Sequence, residues 1–142
     1  MPETVEPLRV APALDSVNEA FWTGGRDGQL LIVHCSACGY WNHPPRERCR
    51  RCHSDRVAPE AVSGKATVTT FTINHQQWNP AGRVPPYVVA LVELVEQPGL
   101  RILTNIVGVD PTAVTIGANV HVVFQALDDV WLPLFTPESP SR

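Results

Sequence analysis

All four cysteines of this 142-residue chain stand in two C-x2-C pairs, Cys35-Ser36-Ala37-Cys38 and Cys49-Arg50-Arg51-Cys52. Each pair predicts a knuckle, and two knuckles close a tetrahedron of sulfur around a metal ion. Four thiolates leave no open coordination position. The expected site is therefore structural, with one redox-inert zinc held by Cys35, Cys38, Cys49 and Cys52. The same ligands would also hold iron in a rubredoxin-like centre, and two disulfides are another use of four cysteines. Gly39 follows Cys38 and suits the positive-φ position that ends a knuckle. His53 follows Cys52, and histidine is among the few other residue types enriched at positive φ, so it reads as a turn residue rather than a substitute ligand. His34 and His43 flank the first knuckle and read as surface or packing residues.

Around the second pair, residues 46–56 hold Arg46, Arg48, Arg50, Arg51 and Arg56 against Glu47 and Asp55, a local excess of +3. Two readings stand side by side. Guanidinium groups could donate to the sulfurs of a dianionic metal–tetrathiolate cluster. They could equally meet an acidic partner or the phosphates of a nucleotide.

The rest of the composition is that of a folded domain, 44% apolar and 18% charged. No apolar run approaches a membrane span of roughly 18 residues. The opening MPETVEPLRVAP lacks a basic stretch followed by an apolar one, so the expected compartment is the cytoplasm. Net charge is −3; four ionised thiolates and one dication would take it to −5. A module that grips phosphate backbones is usually basic, which weighs against nucleic acid.

Local signals divide the chain into an arm and helix over 1–29, a zinc ribbon over 30–60, a barrel over 61–137 and a tail over 138–142. In the first part, Ser16-Val17-Asn18-Glu19 has the form of a capping box. A short helix should follow to about Thr23 and stop at Gly24-Gly25, with Val17, Ala20, Phe21 and Trp22 on its apolar face. Leu30–Val33 is a strand feeding the first knuckle, and Pro44-Pro45 is a rigid turn. Pro59 and Gly64 bracket the passage to the barrel. Beyond Gly64, strands are expected over Lys65–His75, Tyr87–Glu96, Leu100–Val107, Asn119–Leu127 and Trp131–Phe135. Gln97-Pro98-Gly99 turns between the second and third. Asp110-Pro111 opens a helical turn between the third and fourth. Five strands with that insertion predict a mainly β chain ending in an OB-fold, with an SH3-like barrel as the alternative.

The second barrel strand carries the most information. Its even row, Val88, Ala90, Val92 and Leu94, suits a barrel interior. Its odd row, Val89, Leu91, Glu93 and Val95, should face out yet is mostly apolar. Either the ribbon or helix covers it, or it is a protein interface. The loop 75–86 carries Trp78 and Arg83, which could stack on a ring and pair with a phosphate, or simply pack on the barrel.

With these residues in view, the chain resembles the zinc-ribbon/OB-fold proteins, formerly a domain of unknown function, that accompany thiolases and thiolase-like enzymes acting on acyl-CoA. The matching stretches are Phe21-Trp22, CSACGYWNHPPRERCRRC, SGKATVTTFTINH, PPYVVALVEL, LTNIVGVDP and IGANVHVVF. It departs from the pattern at Arg50, where proline is common, at His53, where glycine is common, and at Leu134–Pro137, where a basic residue is often found. The resemblance implies a rubredoxin-like ribbon before the OB barrel. It implies a non-catalytic accessory subunit of a thiolase or thiolase-like aldolase in lipid or steroid side-chain metabolism, probable heterotetramers being built on the partner's dimer. Catalytic groups would belong to the partner, and the subunit would help form the passage for the CoA-linked substrate. On that basis Phe21, Trp22, Val89, Leu91 and Val95 are interface candidates, and Arg46, Arg48, Trp78 and Arg83 are candidates for CoA phosphate. The other reading is a nucleic-acid-binding module, since both component folds serve there. A catalyst in its own right finds little support, because the cysteines are taken by metal and His75 and His121 are lone strand histidines.

Overall fold

The computed structural model describes residues 9–77 and 82–138. Trp78 and most of the expected arm and tail lie outside them. The chain enters through a reciprocal cap. The Asp15 carboxylate accepts from the N–H groups of Val17 and Asn18, both at 2.8 Å, and Asn18 Oδ1 accepts from Asp15 N–H at 2.9 Å. The box is therefore Asp15 with Asn18, one residue upstream of the expected Ser16–Glu19 pair. Helix α1 spans Glu19–Thr23. The α-helix stops at Thr23 with Gly24 as its C-cap, as expected above, but the helical path continues. It tightens into a 3-10 turn over Gly24–Asp27 and ends at Gly28, φ 71°. Gly25 serves close packing instead: a Cβ there would sit 2.5 Å from the Phe124 ring and from Trp131 Cβ.

Strands β1 (Leu30–Cys35), β2 (Trp41–Asn42) and β3 (Val57–Val62) form an antiparallel sheet in the order β2-β1-β3. The sequence reading did not anticipate β3, and Pro59 lies inside it, opposite Val33. Because β3 pairs only with β1, it is an edge strand, where a missing N–H is tolerated.

The barrel comprises β4 (Lys65–Asn74), β5 (Tyr87–Leu94), β6 (Arg101–Ile106), β7 (Asn119–Leu127) and β8 (Val130–Pro137). Its closed order is β4-β5-β6-β8-β7. The pair β6–β8 is parallel, through Ile106 and Phe135, and β4–β7 closes the ring antiparallel. This is the Greek-key closure of an OB-fold, not the SH3-like alternative. The helical turn Pro111–Ala113 falls between β6 and β7, and Asp110 caps it by accepting from Thr112 N–H at 2.9 Å.

The even row of β5 is 0–1% exposed and fills the barrel. One apolar core joins it to Phe21 of α1 and to Leu30 and Ile32 of β1, so helix, ribbon and barrel fold around shared contacts. Helix α1 packs on β8 and β1, and the 3-10 turn packs on β7, β8 and β1. The outer row of β5 stays partly open. Leu91 is half-buried beside its register partner Leu103, which is 69% exposed, and Val95 is 61% exposed. Among the described residues, no helix is long and apolar enough to cross a membrane.

The Gln97 side chain hydrogen-bonds the ribbon to the barrel hairpin. Gln97 Oε1 accepts from Trp41 N–H at 2.9 Å, and Gln97 Nε2 donates to Trp41 O at 3.0 Å. The amide thus acts as one extra residue of strand beside β2. Gln97→Ala is expected to lower stability by about 1–3 kcal/mol, from two hydrogen bonds of about 0.5–1.5 kcal/mol each. Hydrogen exchange should quicken at the Trp41 amide; unchanged exchange there would show that packing alone holds the joint.

Candidate metal centre

The two knuckles are built alike. In the first, Gly39 N–H donates to Cys35 O at 2.8 Å and Cys35 N–H to Tyr40 O at 2.9 Å. In the second, His53 N–H donates to Cys49 O and Cys49 N–H to Ser54 O, both at 2.9 Å. Gly39 has φ 81° and His53 has φ 66°, so His53 occupies the glycine position of its knuckle. His53→Gly should keep the metal and match or exceed the parent's stability. His53→Val should lose roughly 1–2 kcal/mol, because a β-branched side chain is strained at positive φ. A thermal melt of the two variants checks this, and equal melts would remove the backbone argument.

The knuckles bring the four sulfurs within 4.8 Å of one another. Cys35 Sγ to Cys52 Sγ and Cys38 Sγ to Cys49 Sγ are each 3.6 Å. A tetrahedron with metal–sulfur bonds of about 2.3 Å has edges of about 3.8 Å, whereas a disulfide bond is about 2.0 Å. All four cysteines are free, which answers the disulfide alternative. Cys35 and Cys49 are buried, and Cys38 and Cys52 face solvent.

The electrostatics of the sulfurs fit a cation. Burial pushes Cys49 up, but the N–H groups of Cys52 and Arg51 and the Asn42 amide outweigh it and bring the thiol to about 6. Cys35 is lowered in the same way: burial opposes ionisation, and the N–H groups of Cys38 and Ala37 favour it more. Tyr40 N–H pulls Cys38 down, yet desolvation and the other three sulfurs push it to about 12. The thiols oppose one another's ionisation, and a central positive ion removes that opposition. The four cysteines form a metal site.

Asn42 is a functional residue the sequence reading missed. It is 2% exposed, and its Oδ1 accepts from Arg50 N–H at 2.8 Å, which ties the strand after the first knuckle to the second. A lone asparagine between the aromatic Tyr40-Trp41 and Pro44-Pro45 was the available signal. The arginines behave differently from one of the two expectations. Among the described residues no guanidinium donates to a sulfur; Arg51 contributes through its backbone N–H, 3.4 Å from Cys49 Sγ. Arg48 Nη1 donates to His53 O at 3.2 Å, and the Arg51 guanidinium lies 6.0 Å over the Tyr40 ring. Arg46, Arg48, Arg50, Arg51 and Arg56 are all exposed. His34 bonds to the Glu60 carboxylate and to Gly39 O and stacks on Trp41 at 4.1 Å, which joins β1, β3 and the first knuckle.

The remaining candidates are scattered. Phe21, expected at an interface, is instead core at 5% exposure, packed between Trp22 and His43. Trp22 beside it is half-buried. Val89 and Leu91 are half-buried on the outer face of β5, and Val95 follows that strand. Arg83 is exposed next to Val84, whose N–H donates to Gln77 Oε1 at 2.7 Å, and Trp78 lies outside the described residues.

Comparison with known proteins matches this architecture part by part. The model for the ChsH2 rubredoxin-like zinc ribbon domain matches residues 22–58, and that for the ChsH2 C-terminal OB-fold domain matches residues 59–125. A probable enoyl-CoA hydratase alpha subunit of Thermomonospora curvata is 35% identical over 95% of this chain, which spans only 42% of that relative. A DUF35 domain-containing scaffold protein of Methanocaldococcus jannaschii is 36% identical, with 70% of each chain covered. Among solved structures, a chain of an Ltp2-ChsH2(DUF35) aldolase superposes with TM-score 0.76 at 36% identity, covering 89% of this chain and 98% of its own. The two family models together match residues 22–125, and the chain belongs to the DUF35 family of ChsH2-type zinc-ribbon and OB-fold proteins.

Proposed function

We propose that the chain is a non-catalytic accessory subunit of a thiolase-like enzyme or aldolase acting on acyl-CoA, with one structural zinc holding its ribbon. The observation that carries this reading is the open apolar face around Leu91 and Leu103, on a chain that resembles the DUF35 part of an aldolase over nearly that part's whole length. Apolar area that a barrel leaves in water at the centre of one face favours a protein contact. The closed tetrathiolate site supports a structural role for the metal, and zinc suits it because the ion is redox-inert. When bound, zinc would supply a cross-link between the knuckles and no open coordination position. The exposed Arg46 and Arg48 would face CoA phosphates at the rim of the shared passage, and Trp22 would extend the contact with the partner.

Co-expression with the enzymes encoded beside its gene tests the proposal. A stable complex with a thiolase-like subunit, whose acyl-CoA chemistry falls when this chain is withheld, is the expected result. A neighbour fully active alone, with this chain monomeric beside it, would overturn it. Base-specific submicromolar binding of single-stranded DNA or RNA at physiological salt would favour the nucleic-acid reading instead.

A further inference from the structure

Helix α1, the ribbon turn at Pro44-Pro45 and the outer sides of β6 and β8 enclose a groove of about 540 Å³. Its walls are mainly hydrocarbon and aromatic: Trp22, Pro44, Leu103, Leu132 and Leu134. That volume and lining are those of small-molecule sites, which combine an apolar body with a few placed polar groups. Three units of the fold meet here, so the concavity is built by the tertiary structure rather than by one flat sheet face.

The polar lining carries one cation, Arg9, and one anion, Asp15. Arg9 Nη1 donates to Asn105 Oδ1 at 2.8 Å, and Asn105 Nδ2 donates to Val88 O at 2.8 Å, which fixes the guanidinium on the rim. Among the described residues Arg9 has no carboxylate within ion-pair distance. Asp15 also lines the groove, but its carboxylate is engaged by the N–H groups of Val17 and Asn18. His43 forms part of the wall; burial lowers it to about 4, so its imidazole is neutral near pH 7. Its Nδ1 is buried without a partner among the described residues. Among the described residues, Arg9 therefore offers guanidinium donors that no carboxylate takes, at the edge of an apolar trough.

We propose that this groove binds an apolar organic acid, with the hydrocarbon body between Trp22, Pro44, Leu103 and Leu132 and the carboxylate at Arg9. Leu103 and Trp22 also belong to the face proposed above for the partner, so partner and ligand would compete for the groove, and the test therefore uses the isolated chain. A carboxylate satisfies the free guanidinium donors, and a linear or alicyclic hydrocarbon displaces water from the walls.

The test titrates the full-length, metal-loaded chain with decanoate, decanol and decylammonium, by calorimetry and by amide chemical shifts at Trp22 and Asn105. Decanoate should bind saturably, one per chain, and decylammonium at least about tenfold more weakly. Arg9→Ala should weaken decanoate about tenfold and leave decanol unchanged, so decanol reports that the walls survive the loss of the Asn105 clasp. Leu103→Glu, at an exposed position that should tolerate the change, should weaken both about tenfold or more. No saturable binding below about 1 mM would overturn the proposal. So would equal affinity for decylammonium, or decanoate binding that Leu103→Glu does not alter. Amide shifts that arise only on adding the enzyme partner would make the groove a protein seat and equally refute a ligand site.

Discussion

Cys49→Ser is expected to empty the metal site, unfold the ribbon and take much of the barrel's stability with it. Metal binding in zinc-finger peptides is worth about 10–16 kcal/mol of apparent free energy at neutral pH, all of it coupled to folding. A whole domain is stable by only about 5–15 kcal/mol. Losing even a fraction of the first exceeds what the ribbon's small three-stranded sheet can replace. The damage should spread, because Leu30 and Ile32 of β1 share the core that holds the even row of β5. Elemental analysis should find one zinc per parent chain and none in the variant. Trypsin should then cut readily among the arginines of residues 46–56. Iron or no metal in parent protein prepared without added zinc would sink the zinc assignment, and a variant as trypsin-resistant as the parent would sink the coupling.

Leu91→Glu should separate the subunit from its partner without unfolding it. Leu91 lies on the outer row, half-buried, opposite Leu103 and beside the exposed Val95. Burying a leucine at an interface contributes about 1.5–3 kcal/mol. A carboxylate in its place also meets the cost of desolvating a charge. Together these predict a loss of affinity of about a hundredfold or more, enough to abolish co-purification. The isolated variant should retain its zinc and its β-rich circular dichroism spectrum. Ile116→Glu serves as a control, since Ile116 is 68% exposed in the turn before β7. If Leu91→Glu unfolds the chain, the row is core and the interface lies elsewhere; if it co-purifies normally, the proposed contact is wrong.

What the sequence could show depended on how local each determinant is. The knuckles are fully local: two C-x2-C pairs, Gly39 and His53 specify them within a few residues, and each falls where the spacing requires. Barrel strands were legible because one face of each is buried, and alternation survives in β5 as a clean even row. Edge strand β3 was not, since Val57-Ala58-Pro59-Glu60-Ala61-Val62 is largely exposed and gains its pairing from β1. The start of α1 was read one residue late: Ser16 and Glu19 fit the capping pattern, but Asn18 returns a hydrogen bond to Asp15 instead. Gly25 was legible as a helix breaker by propensity alone, yet its role is to admit Phe124 and Trp131, residues a hundred positions away in sequence. Leu103 escaped notice because its neighbours on the same face, Arg101 and Asn105, are polar; only the register places it against Leu91. The groove has no sequence signature, as its walls come from four separated segments.

The packing of α1 on β8 sets an order of events during synthesis. The helix leaves the ribosome before the strand it rests on, with the ribbon and four barrel strands made between them. The parallel contact of β6 with β8 waits for the same strand. By contrast the knuckles need only residues 35–54, so a metal ion can close them before most of the barrel has emerged. Until β8 arrives, Phe21 and the β5 rows lack their final cover, and such surfaces are what chaperones and aggregation both act on. Release of the nascent chain in a soluble form should therefore track the emergence of Val130–Pro137 rather than metal loading, with the ribbon serving as the early anchor against which the late strand closes the molecule.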